Sequence, residues 1–249
     1  MKSINIIAMA GIGKRFKEKN YIKPKPLIEI KKKPMFYYAA RSLPISNQNI
    51  FISNIKLKKH SSFKFNIKKY FKNSKIIYVK KKTNGQASTC NLATNYLKDN
   101  VNVIYSSCDY EYKFIKKRYL ELIKNCDVVV FVHKPTKKHI INYKAYGWIK
   151  KGKKNSITKI ECKKKVSNKL NKDLVIVGSF AFKNKKIFIN SYKEMVRKKH
   201  RVNNEYYMDI LVKYSRKLNY NVKYQLVKNF KSYGTPEELK HWKNKIGKK

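Results

Sequence analysis

Acidic residues are scarce in this chain of 249 residues: 14 Asp+Glu stand against 61 Lys+Arg, a formal net charge of +47. So large an excess points first to nucleic acid, because lysines release counterions from a phosphate backbone. Asparagine, isoleucine, tyrosine and phenylalanine are also frequent, and these share A/T-rich codons with lysine. A nucleic-acid partner accounts for Lys and Arg but not for Ile and Asn. The lysines are spread along the whole chain rather than gathered in a tail or stripe. Nucleic acid is therefore not the expected partner, although so basic a surface attracts anions of any kind.

Cysteine is equally sparse. Cys90, Cys108, Cys126 and Cys162 form no C-x-x-C pair, and the five histidines are scattered. Neither a disulfide framework nor a zinc site is expected from that spacing. No apolar run approaches the length of a membrane span. Lys2, residues 4–7 and Ala8-Met9-Ala10 imitate a signal sequence, but the apolar part is too short for one. A cytoplasmic protein is expected. Repeats and linkers are absent too, so one domain over residues 1–249 is the reading.

What is present is an alternation of short apolar runs with amphipathic stretches. Residues 4–9 read as a strand buried on both faces, ended by Gly11 and Gly13. Pro24, Pro26 and Pro34 keep the next stretch from forming one helix, and residues 35–42 are helical. Strands are expected at 50–55, 75–79, 101–105 and 128–132, with helices at 63–71, 86–96 and 114–124 between them. This order predicts an α/β sheet with crossover helices. Beyond about residue 134 the pattern changes. Residues 146–149 and 157–161 read as a hairpin, 174–182 as a long strand, 187–197 and 205–217 as helices, and 222–227 as a last strand. Thr235, Pro236 and Glu238 read as a capping box opening a final helix.

Two stretches carry chemistry. In AGIGKRF, glycines after a strand let backbone N–H groups approach phosphate oxygens, and Arg15 adds a charge-assisted clamp. A dinucleotide loop would need a third glycine where Phe16 stands, and no Walker A pattern is present. In KPKPLIEI, prolines hold Lys25 in an extended loop facing whatever lies over the glycines.

Together with KPM, these residues resemble the sugar-phosphate nucleotidyltransferases, also called nucleoside-diphosphate-sugar pyrophosphorylases, in their compact bacterial form. NGQASTCNLA, CDYEY, AYGWIK, CKKKVS, IVGSFAFKN, NNEYYMDILV and YGTPEEL resemble further landmarks of that family, in order, over nearly the whole chain. The resemblance implies an α/β fold: a Rossmann-like mixed, mostly parallel sheet flanked by helices, GT-A-like, with a small added β-hairpin region. It implies a nucleotide-binding half (about 1–134) and an acceptor-binding half (about 135–249). The activity implied is transfer of a nucleoside monophosphate from a triphosphate to a sugar phosphate or similar small phosphate, with Mg²⁺, for surface polysaccharide synthesis. A basic nucleic-acid-binding protein on the same fold is the alternative.

Roles follow from the resemblance residue by residue. Ala10, Gly11, Gly13 and Arg15 would cradle the β- and γ-phosphates, and Lys25 would meet the α-phosphate. Gly85 and Gln86 would lie beside the base. Asp109 would hold Mg²⁺ with Glu205, or Asp209 in its place. Gly147 and Gly178 would admit the acceptor, and Lys163, among Lys164 and Lys165, would contact its phosphate. Asp109 as a helix cap and Gly178 as a strand bulge are the plainer readings of those two positions. Cys162 stands where many members have Glu, which weakens the expected contact with sugar hydroxyls.

Overall fold

Isoleucines place the first strand at the centre of the molecule. In the computed structural model, which describes residues 2–246, Ile4, Ile6 and Ile7 of β1 (Ser3–Met9) are buried. Alternate side chains leave a strand on opposite faces. Ile4 and Ile6 therefore join one apolar core, while Ile7 and Met9 join another on the far side of the sheet. Each fully buried isoleucine contributes about 2 kcal/mol, which fixes β1 between two helical layers.

In chain order, α1 (Lys14–Lys17) follows β1. Next come a two-stranded turn, β2 (Glu29–Ile30) with β3 (Lys33–Pro34), and α2 (Met35–Ser42). Then β4 (Gln48–Asn54), α3 (Ser61–Tyr70), β5 (Ser74–Val79), α4 (Gln86–Asn91) and β6 (Asn102–Ser107) complete the first parallel array. The chain continues through β7 (Tyr110–Lys113), α5 (Lys116–Asn125), β8 (Val128–His133) and α6 (Lys137–Ile141). It ends with β9 (Gly147–Lys151), β10 (Ile157–Cys162), β11 (Leu174–Phe182), α7 (Lys185–Arg197), α8 (Met208–Lys217), β12 (Val222–Leu226), β13 (Lys228–Ser232) and α9 (Pro236–Ile246).

Nine strands form one mixed sheet. β5, β4, β1 and β6 lie side by side in parallel register, Ile6 opposite Ile50 and Tyr105. β11 runs against them, with β8 on one edge and β6 and β9 in turn on the other. β12 is parallel to β8. Side chains of α4, α7 and α8 cover one face, and those of α2, α3 and α5 the other. The mostly parallel sheet flanked by helices is the fold class expected above.

Three local differences bear on the site. The expected hairpin is real, β9 with β10, but it extends the main sheet through β11 rather than forming an added region. The helix expected over residues 205–217 begins at Met208. Val202 and Glu205 pair across a tight turn, and left-handed Asn203 and Asn204 hold Glu205 out of the helix. A ribbon of β7 and β13 was not read from the sequence. It brings the C-terminal segment across the chain to the end of β6.

Candidate functional site

The glycine loop leaves the end of β1 and turns at Gly13, whose φ of +66° opens α1. A Cβ on Gly13 would press on the Cβ of Lys25 at 3.1 Å, so the loop and the proline-flanked lysine are in direct contact. Pro24 is extended, but residues from Lys25 onward form a single 3₁₀ turn, Lys25–Leu27, closed by Leu27 N–H donating to Pro24 O at 2.8 Å. The extended loop expected for Lys25 is therefore a tight turn, and the turn aims the side chain inward.

Lys25 Nζ donates to Asp109 Oδ2 at 2.6 Å and to Gly234 O at 3.3 Å. The Lys25 and Asp109 side chains keep only 19% and 23% of their exposure. Burial alone would lower the lysine pKa, but the Asp109 carboxylate outweighs it and the value is raised. Burial likewise disfavours the charged Asp109, and Lys25 with the Ser107 hydroxyl (2.6 Å) reverses that, leaving its pKa lowered. The two directions agree: the pair is ionised. Asp109 caps no helix; it follows β6 and its carbonyl accepts from Tyr233 N–H at 2.7 Å.

Around this pair opens a cavity of about 530 Å³. Gly13, Arg15, Lys25, Gln86, Asp109, Gly147, Lys163, Gly178, Glu205 and Asp209, ten residues singled out by sequence, all line it. Gly11 lines a smaller adjoining cavity with Gly13 and Lys25. Ala10 and Gly85 line neither. Gly85 instead lets two segments meet, since a Cβ there would stand 2.7 Å from Tyr206 O. Ala87 N–H also bonds Tyr206 O, at 3.1 Å. Gln86, on the first turn of α4, keeps its buried Nε2 without a protein partner.

Gly147 and Gly178, expected to admit an acceptor, are explained by neighbouring side chains. A Cβ on Gly147 would overlap the Asp209 carboxylate. Gly178 has a φ of +88°, its pairing with β8 shifts register, and a Cβ there would meet the Tyr110 ring at 3.0 Å. Gly178 is thus a strand irregularity that also faces the cavity. Lys163 follows β10 in a left-handed conformation, φ +55°. Its ammonium lies 4.9 Å from the centre of the Tyr207 ring. Lys164 and Lys165 are exposed and do not line the cavity. Glu161 cannot replace the glutamate missing at Cys162, because it bonds Lys213 at 3.2 Å outside the cavity. Burial pushes the Asp209 carboxyl up to about 6, against a hydrogen bond with Cys162 and the charge of Lys163.

Sequence reasoning missed the C-terminal wall. Phe230, Ser232, Gly234, Thr235 and Glu238 line the cavity. Half of the expected capping box is present, with Glu238 N–H on Thr235 Oγ1 at 3.2 Å. The Glu238 carboxylate, however, accepts from Ser232 Oγ at 2.8 Å and from Tyr146 OH at 3.1 Å. Tyr207 also faces the cavity, whereas its neighbour Tyr206 is buried. The lining thus holds Lys14, Arg15, Lys25 and Lys163 opposite Asp109, Glu205, Asp209 and Glu238. In a chain so poor in acid, this balance marks the cavity out from the rest.

No family model matches the sequence, and no curated protein matches it. Solved structures do match in shape. A nucleoside-diphosphate-sugar pyrophosphorylase from Vibrio cholerae RC9 is 19% identical with a TM-score of 0.80, over 96% of this chain and 99% of that one. A UDP-glucose pyrophosphorylase complexed with UDP-glucose is 16% identical with a TM-score of 0.77, over 100% and 99%. The inositol-1-phosphate CTP transferase of T. maritima is 14% identical with a TM-score of 0.73, over 98% and 96%. At these identities the likeness establishes the fold, shared along the full length of each chain.

Proposed function

We propose that this chain, which has the nucleotidyltransferase fold, transfers a nucleoside monophosphate from a triphosphate to a sugar phosphate and releases pyrophosphate. The observation that carries the reading is the Lys25–Asp109 ion pair between the glycine loop and Lys163, in one cavity. The acceptor phosphate is already a nucleophile, so no protein nucleophile is required. One of its oxygens would attack the α-phosphorus in line, and pyrophosphate would leave with the electron pair of the broken P–O bond.

The protein's task is to bring two polyanions together in the right geometry. Gly11, Gly13 and Arg15 would hold the β- and γ-phosphates, Lys25 the reacting phosphate, and Lys163 the acceptor phosphate. These cations stabilise charge where it builds. The partnerless Gln86 amide supports a contact with the base. Carboxylate and hydroxyl oxygens are hard donors that fit Mg²⁺, with Asp109 the first of its ligands. Bound there, Mg²⁺ would neutralise phosphate charge.

An acceptor of the sugar-phosphate class is in keeping with the structural neighbours, among them a nucleoside-diphosphate-sugar pyrophosphorylase and a UDP-glucose pyrophosphorylase. The product would serve surface polysaccharide assembly. The cytoplasm, where nucleoside triphosphates are made, is the location that goes with this reading. No helix among the described residues is long and apolar enough to cross a membrane. The test is pyrophosphate release from purified protein with each nucleoside triphosphate, Mg²⁺ and a panel of small phosphates. Release with one pairing is expected. Silence across the panel together with salt-sensitive nucleic-acid binding would overturn the proposal.

A further inference from the structure

Resting on that reading, we propose that Glu238 is the second carboxylate of the divalent-cation site, beside Asp109 and Ser232. We further propose that the Lys25 ammonium holds the cation's place until it is displaced. The place is built around Gly234. Its backbone is not left-handed, so its conformation does not require glycine. What glycine provides there is space. The point where a Cβ would stand lies 3.3 Å from Glu238 Oε2 and 3.5 Å from both Asp109 Oδ2 and Ser232 Oγ. Three oxygens from two distant segments thus converge on one side of a residue with no side chain.

Two carboxylates facing one space call for positive charge. Part of it is already there, since Lys25 Nζ touches Asp109 Oδ2 and Gly234 O. Glu238 divides its carboxylate. Oε1 turns to Tyr146 OH at 3.1 Å, with Lys138 Nζ at 3.9 Å, while Oε2 turns to Ser232 and the space above Gly234. Asp109 Oδ2 cannot serve an ammonium and a divalent ion at full strength together. Cation binding would therefore release Lys25 toward the reacting phosphate, coupling metal loading to the freeing of the lysine.

Glu205 and Asp209 fit this place less well. Glu205 lies against Gly85 and 4.0 Å from Lys82, and Asp209 is packed onto Gly147. Neither supplies any of the three atoms nearest the space above Gly234, which belong to Glu238, Asp109 and Ser232.

The test is Mn²⁺ binding to the full chain without nucleotide, followed by electron paramagnetic resonance of the free ion. Glu238→Gln keeps groups able to bond Tyr146 and Ser232, and Gly234→Ala changes no charge. Each is expected to weaken Mn²⁺ binding by at least about tenfold, with unchanged melting temperature confirming the fold. Lys25→Met is expected to tighten binding, and Glu205→Gln and Asp209→Asn to leave it as in the wild type. Wild-type protein that binds no Mn²⁺ would overturn the proposal. So would loss of the site in Glu205→Gln rather than Glu238→Gln, or weaker binding by Lys25→Met. Pyrophosphate release is not read here, so failure leaves the nucleotidyl-transfer reading standing.

Discussion

On one side of the cavity, Lys25 is clamped by Asp109, by Gly234 O and by contact with Gly13, and the strands behind it are parallel and buried on both faces. On the other side, Lys163 has a ring contact with Tyr207 and sits in a left-handed turn. Asp209 there is desolvated, and a thiol, a lysine and a backbone hydrogen bond do not fully offset it. The strands are antiparallel, and β11 changes neighbours at its irregular middle. On the proposed function, the Lys25 side would be the donor side and the Lys163 side the acceptor side, and the difference would separate two tasks. A triphosphate tail is the same for every nucleotide, so its cradle can be rigid. The acceptor defines the individual reaction, and its wall is held by weaker and more replaceable contacts.

Breaking the donor side should therefore cost most. Lys25→Met is expected to lower kcat/KM by about 10²–10³-fold and, because it strands a buried carboxylate, to lower stability too. Adding Asp109→Asn should restore the melting temperature but not the turnover. Recovery of activity in the double variant would show that the pair is structural. Next in size, Lys163→Gly should raise the KM for the acceptor about tenfold or more while stability rises by about 1 kcal/mol, since glycine relieves the left-handed strain. Steady-state kinetics alongside urea unfolding read both, and a fall in stability would sink the strain argument.

The pH dependence of stability probes the same wall. Asp209 titrates at about 6 in the fold and near 3.9 when unfolded, so the fold disfavours its charge. Below pH ~3 the group is protonated in both states and costs nothing. As pH rises from there through about 6 the fold loses stability. Asp209→Asn should therefore stabilise the protein by up to about 3 kcal/mol at pH 8 and by nothing measurable at pH ~3. Thermal melts across that range would show a gap opening with pH; a constant gap would refute it. Smallest of all, Asn219→Gly, at the left-handed turn after α8, should add about 0.5 kcal/mol and leave kinetics alone.

How much of this was legible in the sequence follows the same division. Apolar runs such as residues 4–9 and 128–132 announce strands because a parallel strand is buried on both faces. AGIGKRF and KPKP announce a loop because glycine and proline restrict the backbone in recognisable ways. β13 carried no such signal. Lys228, Asn229, Lys231 and Ser232 have little apolar alternation, and the ribbon is held by β7, from more than a hundred residues earlier. Glu238 was hidden differently, since one residue does two jobs: its backbone completes a helix cap while its side chain turns to the cavity. A local rule that explains a residue fully can conceal its long-range contact.

The left-handed turns have a practical consequence. Among the described residues, six asparagines and five lysines take a positive φ that glycine would accept more readily. Each is a small standing cost, least for asparagine. A ligand that binds only the folded form adds to its stability by mass action, by about 2.7 kcal/mol at a hundred times its Kd. In a chain of this size and strain, that is several degrees of melting temperature. A thermal-shift plate of nucleotides and small phosphates would then identify donor and acceptor before any turnover assay is run.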